Sequence, residues 1–237
     1  MLAKRIILSF LCLLTVFYPV KAGKKALIWD DTETLGTSNS QNENYFFYTK
    51  NLSEIDGSYI FNFTYGYNDK TDIAMNIPFG YLKSFENTYS DMGDPFFEVK
   101  YRFYEKNSLK LAIKPFVGIP VKRESNFSES HFSYALTLVS QLNFDRFTLY
   151  GNSTYMVHKE KVEENEIFQS LSIDCRLNSN FNLVSSLYLS YYEELRKGGL
   201  IGISYSWRKL EMAIGIGKVF SSDNDYSLYG GVTFRFF

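Results

Sequence analysis

Apolar and polar residues alternate in short stretches that recur roughly every 15 to 20 residues from about Asn44 to Phe237. In one such stretch Leu111, Ile113 and Val117 are separated by polar or small residues. A period of two predicts extended strands with one apolar face and one polar face. Because charged side chains occupy the second face in strand after strand, we expect that face to meet water. Nothing in the sequence predicts a second layer to cover the apolar face, so the pattern favours an antiparallel up-and-down β-barrel whose outer face is covered by membrane lipid.

The first residues have the features of a secretory signal peptide. Lys4 and Arg5 precede an apolar run over 6–18, and small residues follow near the end of 1–22, which predicts cleavage before Gly23. The apolar run is short for a membrane-spanning helix, and no later stretch is apolar enough to be one. Export to the outer membrane of a Gram-negative cell agrees with this combination, because a long apolar helix would stop the chain in the inner membrane.

Composition supports the same class and excludes others. Aromatic residues make up 18% of the chain, which suits the girdles that porin-like barrels place at the two membrane interfaces. Without Lys4, Arg5 and Lys21 of the signal peptide, the 25 basic residues fall to 22 against 26 acidic ones, a net charge of −4. This balance argues against a nucleic-acid partner. With Cys12 also removed, Cys175 stands alone and no internal disulfide is possible.

The alternation predicts about twelve strands, and the connections between them alternate in length. Short turns are expected on the periplasmic side and longer loops outside. We expect three parts: the signal peptide at 1–22, a polar periplasmic lead-in at 23–41 and the barrel at 42–237. The predicted strands are 42–49, 57–67, 71–82, 95–105, 108–119, 131–142, 146–157, 167–177, 181–191, 199–207, 209–218 and 226–236, and the longer loops are 83–94, 120–130, 158–166 and 219–225.

The last segment, 226–237, has the pattern of an aromatic-rich closing strand. Leu228, Val232, Phe234 and Phe236 share one face, which predicts recognition by the machinery that assembles outer-membrane barrels. The terminal residue is out of phase, and an ordinary amphipathic strand is the alternative.

Several motifs carry a family resemblance. The stretch 29–36, Trp-Asp-Asp-Thr-Glu-Thr-Leu-Gly, precedes the first strand, and Gly-Asp-Pro at 93–95 leads into Val-Lys-Tyr-Arg-Phe at 99–103. Pro115 and the Gly118 to Pro120 stretch follow on the next strand. Over most of 29–122 the chain resembles the outer-membrane proteins grouped as the meta-pathway phenol-degradation or transporter-like barrel family. The resemblance implies a channel or transporter for small, often aromatic or hydrophobic, compounds, with no catalytic residues.

The inward face would carry a set of charged side chains, seven basic and three acidic. In an open pore this bias favours anionic or dipolar solutes. The alternative is that these side chains pair across strands and fill the lumen. The candidates are Glu98, Lys100, Arg102, Lys110, Lys114, Arg146, Asp174, Arg176, Glu211 and Arg235.

An enzymatic function is a distant alternative. His131 and Ser133 lie two residues apart, a spacing that resembles the His-x-Ser pair of outer-membrane lipid A deacylases, and Glu129 is the nearest candidate for an orienting carboxylate. No Cys or His cluster has metal-ligand spacing, so we expect no metal and no cofactor. A charged loop near Glu163 could meet lipopolysaccharide. The leading expectation is an outer-membrane channel for small solutes, and a non-conducting structural or surface-interaction barrel is the main rival.

Overall fold

The computed structural model describes residues 31–50, 54–84, 87–121, 127–128, 131–158, 165–192, 194–220 and 226–236. The predicted signal peptide lies outside these ranges. No helix within them is long and apolar enough to cross a membrane. The described residues form the strands β1 (Ser40–Lys50), β2 (Ile55–Asn68), β3 (Thr71–Lys83), β4 (Thr88–Met92), β5 (Phe96–Lys106), β6 (Leu109–Gly118), β7 (Ser133–Asn143), β8 (Phe147–His158), β9 (Glu166–Arg176), β10 (Phe181–Tyr192), β11 (Glu194–Trp207), β12 (Leu210–Val219) and β13 (Tyr226–Phe236).

The strands close into a barrel. Apart from β4, strands that follow one another in the chain pair antiparallel, and β1 pairs with β13, so the first and last strands seal the sheet. The short strand β4 is a side branch, because β3 pairs with β5 through Thr71–Asn76 and with β4 through Phe79–Lys83. The predicted antiparallel barrel of about twelve strands is confirmed for the described residues. Strand β4 lies in the predicted 83–94 loop, and β11 begins at Glu194 rather than near 199.

The two faces of the sheet are those expected of a barrel in a bilayer. Apolar side chains point outward and are exposed, as in Leu171 at 59% and Ile216 at 63%. Neighbouring polar side chains point inward, and Ser172 and Ser186 are each 1% exposed. A soluble protein buries its apolar side chains and exposes its polar ones. Here the arrangement is reversed, so lipid must cover the outer face.

Five short turns of the described chain lie at one end of the barrel, here called the turn end, and the opposite end is called the loop end. The turns at 69–70, 107–108, 144–146, 177–180 and 208–209 fall at or within a residue or two of the predicted positions. Asn107 and Arg208 adopt positive φ angles of 53° and 55°, which lets the chain reverse within two residues. The first residue of β1, Ser40, and the last residue of β13, Phe236, also lie at the turn end, where they pair.

Candidate functional site in the barrel lumen

The chain that precedes β1 lies inside the turn end of the barrel. This inner segment, Asp31–Asn39, bonds to inward-facing side chains of the wall. Thr32 is fully buried, and its backbone N–H and hydroxyl donate to Oε1 of Gln141 at 3.1 and 2.8 Å. The backbone N–H of Leu35 donates to both carboxylate oxygens of Asp72 at 3.1 and 3.2 Å. Part of the predicted lead-in at 23–41 is therefore a component of the lumen, and its last two residues belong to β1.

A tight backbone contact fixes where the inner segment enters. Gly36 has a φ of 79° and Ser38 a φ of 65°, so the chain turns sharply there. The N–H of Ser38 donates to the carbonyl of Gly66, and the N–H of Gly66 donates to the carbonyl of Asn39, each at 2.8 Å. A Cβ atom added to Gly66 would lie 2.0 Å from the carbonyl oxygen of Gly36. Glycine at position 66 is therefore what allows the segment to approach the wall.

The inner segment places its acidic groups on three basic side chains of β5 and β6. Lys100 donates to Asp31 at 2.8 Å and to the carbonyl of Glu33 at 3.0 Å. The Glu33 carboxylate lies 2.7 Å from the Lys110 ammonium and 3.4 Å from the Arg102 guanidinium. We call Lys100, Arg102 and Lys110 the basic cluster. Their side chains are only 13–16% exposed, whereas those of Asp31 and Glu33 are 45% and 47% exposed.

A further carboxylate ties two members of the basic cluster to each other. Glu105 lies 3.1 Å from both Arg102 and Lys110. A bulge between Arg102 and Tyr104 shifts the register of β5, and past it Glu105 pairs with Lys110. The bulge therefore aims Glu105 at the basic cluster.

The other charged residues proposed for the lumen fall into two groups. Glu98 and Lys114 form a buried pair at 3.4 Å near the middle of the wall. Asp174 accepts a hydrogen bond from Asn182 at 3.2 Å. These groups have partners on the neighbouring strand, as the alternative of cross-strand pairing expects.

The remaining residues of the predicted set lie at the turn end. Arg235 and Glu211 form a pair at 3.2 Å and are 46% and 38% exposed. Arg176 is the last residue of β9 and is exposed. Arg146 is exposed in the turn just before β8, which begins at Phe147, one residue after the predicted start, and its carbonyl accepts from the N–H of Arg176 at 2.7 Å.

The loop-end half of the lumen has a different lining. Eleven of the described strands turn an apolar side chain inward in their loop-end halves at the positions named below, and we call the ring of these eleven side chains the inner belt. Phe116, Ala135 and Met156 pack together with Phe96, and Leu200 and Tyr229 pack with Phe47 and Tyr188. The inner belt consists of Phe47, Ile60, Pro78, Phe96, Phe116, Ala135, Met156, Phe168, Tyr188, Leu200 and Tyr229.

Aromatic rings contact one another within the inner belt. The rings of Phe96 and Phe116 have centroids 5.5 Å apart, and those of Phe168 and Tyr188 are stacked at 6.0 Å. Below them the wall mixes polar and small apolar side chains: Asn62 donates to Asn76 at 2.7 Å, and Ala112 and Val139 are fully buried. A ring of apolar side chains on the inner wall can contact an apolar solute.

The inner belt is absent from the predicted lumen residues, although the sequence contains a signal for it. Where a strand contributes to the belt, adjacent apolar residues break the alternation, as in Phe96-Phe97, Phe116-Val117 and Leu200-Ile201. One member of each pair faces lipid and the other faces the lumen. Each such pair is an exception to strict alternation. Because the pairs recur in the loop-end half of strand after strand, together they indicate a ring.

The residues of the enzymatic alternative lie at the loop end. Ser133 opens β7 and is buried, with its hydroxyl 2.2 Å from where a Cβ of Gly118 would lie. His131 precedes the strand, and the candidate orienting residue Glu129 lies outside the described residues. No group of His, Cys, Asp and Glu suited to a metal ion occurs in the described part of the chain.

Solved structures with similar folds are outer-membrane barrels. An outer-membrane channel from Pseudomonas putida F1 is 12% identical with a TM-score of 0.73, over 87% of this chain and 98% of that one. A KdgM porin in complex with disordered oligogalacturonate is 9% identical with a TM-score of 0.62, over 83% and 99%. The translocator domain of the autotransporter NalP from Neisseria meningitidis is 10% identical with a TM-score of 0.51, over 85% and 89%. At these identities the likeness shows the fold alone.

Curated proteins gave no significant match. The shared fold, a closed barrel with an exposed apolar outer face, agrees with a place in the outer membrane. A family model described as "Putative MetA-pathway of phenol degradation" matches residues 30–236, which is nearly the whole predicted mature chain. The chain therefore belongs to this family of outer-membrane β-barrel proteins.

Proposed function

We propose that this protein is a channel for small aromatic or hydrophobic solutes and that the inner belt forms their pathway. The observation that carries the proposal is the belt itself, a ring of apolar side chains, six of them aromatic, on the inside of the barrel. Lipid already covers the outer apolar face, so the sheet does not need a second apolar surface for insertion. Aromatic residues facing the lumen indicate a solute that they contact.

The strength of such contacts suits passage. A single-ring solute that buries about 100 Å² of apolar surface against the belt gains about 2.5 kcal/mol. That gain concentrates the solute in the barrel by tens of fold at most, and a site of this strength releases what it binds. The family description, which names phenol degradation, agrees with a one-ring solute.

Liposome swelling tests the proposal with two solutes that do not cross lipid by themselves. Phenyl glucoside carries an aromatic ring, and methyl glucoside is the smaller control without one. We expect wild-type protein to admit phenyl glucoside at least as fast as methyl glucoside, because the inner belt offsets the larger size. Replacing Phe116, which is 8% exposed and faces the lumen, with alanine reverses that order.

The matched control is Val117→Ala on the outer face of the same strand, which leaves the order unchanged. Equal ratios for Phe116→Ala and wild type contradict a role for the inner belt. No swelling with either solute favours the rival, a non-conducting structural or surface-interaction barrel, which draws support from the ion pairs and ring contacts that fill much of the lumen.

The assembly signal and the surface contacts belong to the same proposal. Leu228, Phe234 and Phe236 are 38%, 40% and 52% exposed on the outer face of β13, which supports recognition of that strand by the barrel assembly machinery. We also propose that the charged loop near Glu163 contacts lipopolysaccharide and that residues 1–22 are removed on export.

A further inference from the structure

The Glu33 carboxylate is held as a bound ligand would be. Its Oε1 accepts from Lys110 at 2.7 Å and from Gln141 at 3.0 Å. Its Oε2 accepts from Lys110 at 3.0 Å and from Arg102 at 3.4 Å. These donors come from β5, β6 and β7 and converge on one carboxylate group. Charge-assisted donors arranged in this way are typical of carboxylate recognition.

We propose that the basic cluster, with Gln141, is a binding site for carboxylate-bearing solutes and that Glu33 occupies it as an internal ligand until such a solute displaces the inner segment. The proposal rests on the proposed channel function and names one class of solute for it, an aromatic ring with a carboxylate. Benzoate is the simplest example.

The exposed fractions of the side chains distinguish the fixed basic cluster from the more exposed Glu33. The side chains of the basic cluster are 13–16% exposed and lie on paired strands, so they stay in place when Glu33 leaves. Glu33 is 47% exposed and lies in a segment outside the sheet. The site therefore persists without its internal ligand.

The net charge of the basic cluster and its neighbours favours an anionic ligand. With Asp31 and Glu33 withdrawn, the three cations of the basic cluster face the carboxylates of Glu105 and Asp72 and keep one net positive charge. A small carboxylate restores the balance that the inner segment provides. A neutral solute of the same size does not.

Exchange is feasible because the Glu33 carboxylate is tethered and half exposed, while Thr32 and Leu35 hold the segment on either side of it. Half-exposed ion pairs contribute modestly to stability, on the order of 1 kcal/mol or less. A tethered group competes with free ligand at an effective concentration in the millimolar range. Millimolar carboxylate is therefore expected to displace Glu33.

The basic cluster and the inner belt act in succession. Lys110 and Phe116 both face inward on β6, and six residues of strand separate them by roughly 20 Å. A one-ring carboxylate is too short to reach both at once. A solute from the loop end meets the inner belt first, and its carboxylate then reaches the basic cluster and releases the inner segment.

Cysteine labelling tests displacement without any need for conduction. Thr32 is fully buried, so in a Cys175→Ser background a Thr32→Cys variant reports departure of the inner segment by its rate of reaction with a charged maleimide. We expect slow labelling of the folded protein in detergent, and a rate at least several-fold higher with millimolar benzoate. Benzyl alcohol at the same concentration, and sodium chloride at the same ionic strength, leave the rate low.

Two further variants separate the site from general loosening. Adding Glu33→Gln makes labelling fast without benzoate and insensitive to it. Adding Glu43→Gln, which removes a lumen-facing carboxylate on β1 that accepts from Thr233, leaves labelling slow and responsive to benzoate. No effect of benzoate, or an equal effect of sodium chloride, overturns the proposal.

Labelling and swelling together distinguish failure of the carboxylate site from failure of the channel. If benzoate accelerates labelling but liposomes do not swell, the carboxylate site stands and the channel function fails. If liposomes swell but benzoate leaves the labelling rate unchanged, the channel function stands and the carboxylate site fails.

Discussion

The two halves of the lumen are lined by different chemistry although they belong to the same strands. At the turn end, charged side chains of the wall pair with one another and with the inner segment, as Arg102 does with Glu33 and Glu105. At the loop end, apolar side chains pack on one another, as Phe116 does with Met156. The outer face is mainly apolar along its length because lipid demands it. Lipid does not contact the inner face. Its change from charged to apolar side chains along the barrel axis therefore reflects the solute that the lumen contacts.

The largest effect is expected where the two halves meet. Glu98 and Lys114 pair at 3.4 Å, with only 11% and 9% of their side chains exposed. Replacing Glu98 with alanine leaves a buried ammonium group without this carboxylate, a change that costs about 3–5 kcal/mol. Urea titration of the folded protein in detergent measures the loss of unfolding free energy.

The double variant Glu98→Ala/Lys114→Met is the control, because it removes both charges and keeps an apolar side chain of similar length. It is expected to recover most of the loss. If the double variant is as unstable as the single one, the pair matters for its shape and not for its charge, and the boundary between the halves is not electrostatic.

An intermediate effect is expected at the gap in the inner belt. Beside Tyr229 the inward position of β12 is Gly215, and the Tyr229 ring lies over it, where an added Cβ would be 2.2 Å from the Tyr229 hydroxyl oxygen. Gly215→Ala therefore forces the ring away from the wall, at about 1–3 kcal/mol. The same urea titration detects it, together with a changed phenyl glucoside rate.

Removing the ring removes the clash. In a Tyr229→Ala background, Gly215→Ala is expected to change the unfolding free energy by well under about 1 kcal/mol, because the ring no longer stands in the way. An equal cost in both backgrounds shows that position 215 needs glycine for the backbone, and the belt then ends at β13 for another reason.

Sequence alone predicts the barrel well because the lipid-facing pattern is imposed on every strand. Leu136, Leu138 and their counterparts on other strands follow a period of two, so the approximate number of strands and the five turns are recovered. Single turn positions are less secure, and for that reason the predicted strand that contains Arg146 begins one residue too early.

The interior is harder to predict because its contacts join residues far apart in the sequence. Thr32 and Gln141 are 109 positions apart, and no local pattern connects them. Glu33 belongs to a motif that carries the family resemblance, yet its partners Arg102 and Lys110 are identified only once β5 and β6 are side by side. The inner belt is an intermediate case. Its pairs of adjacent apolar residues are visible in the sequence, but their position along the barrel axis is seen only in the structure.

The smallest effect is expected on the polar wall of the turn-end half. The Ser186 hydroxyl donates to Ser172 at 2.7 Å, and both side chains are 1% exposed. Ser186→Ala removes one neutral hydrogen bond and leaves a single buried acceptor, a change worth about 1 kcal/mol. Ser172→Ala/Ser186→Ala is expected to be closer to wild type than either single variant, because neither partner remains unsatisfied. Urea titration measures both, with the outward Ser185→Ala as the control. A loss above about 3 kcal/mol for Ser186→Ala contradicts the distinction between the halves. The Ser172–Ser186 contact would then be as important for stability as the buried ion pair. The small serine side chains could no longer be explained by the space that they leave in that part of the lumen.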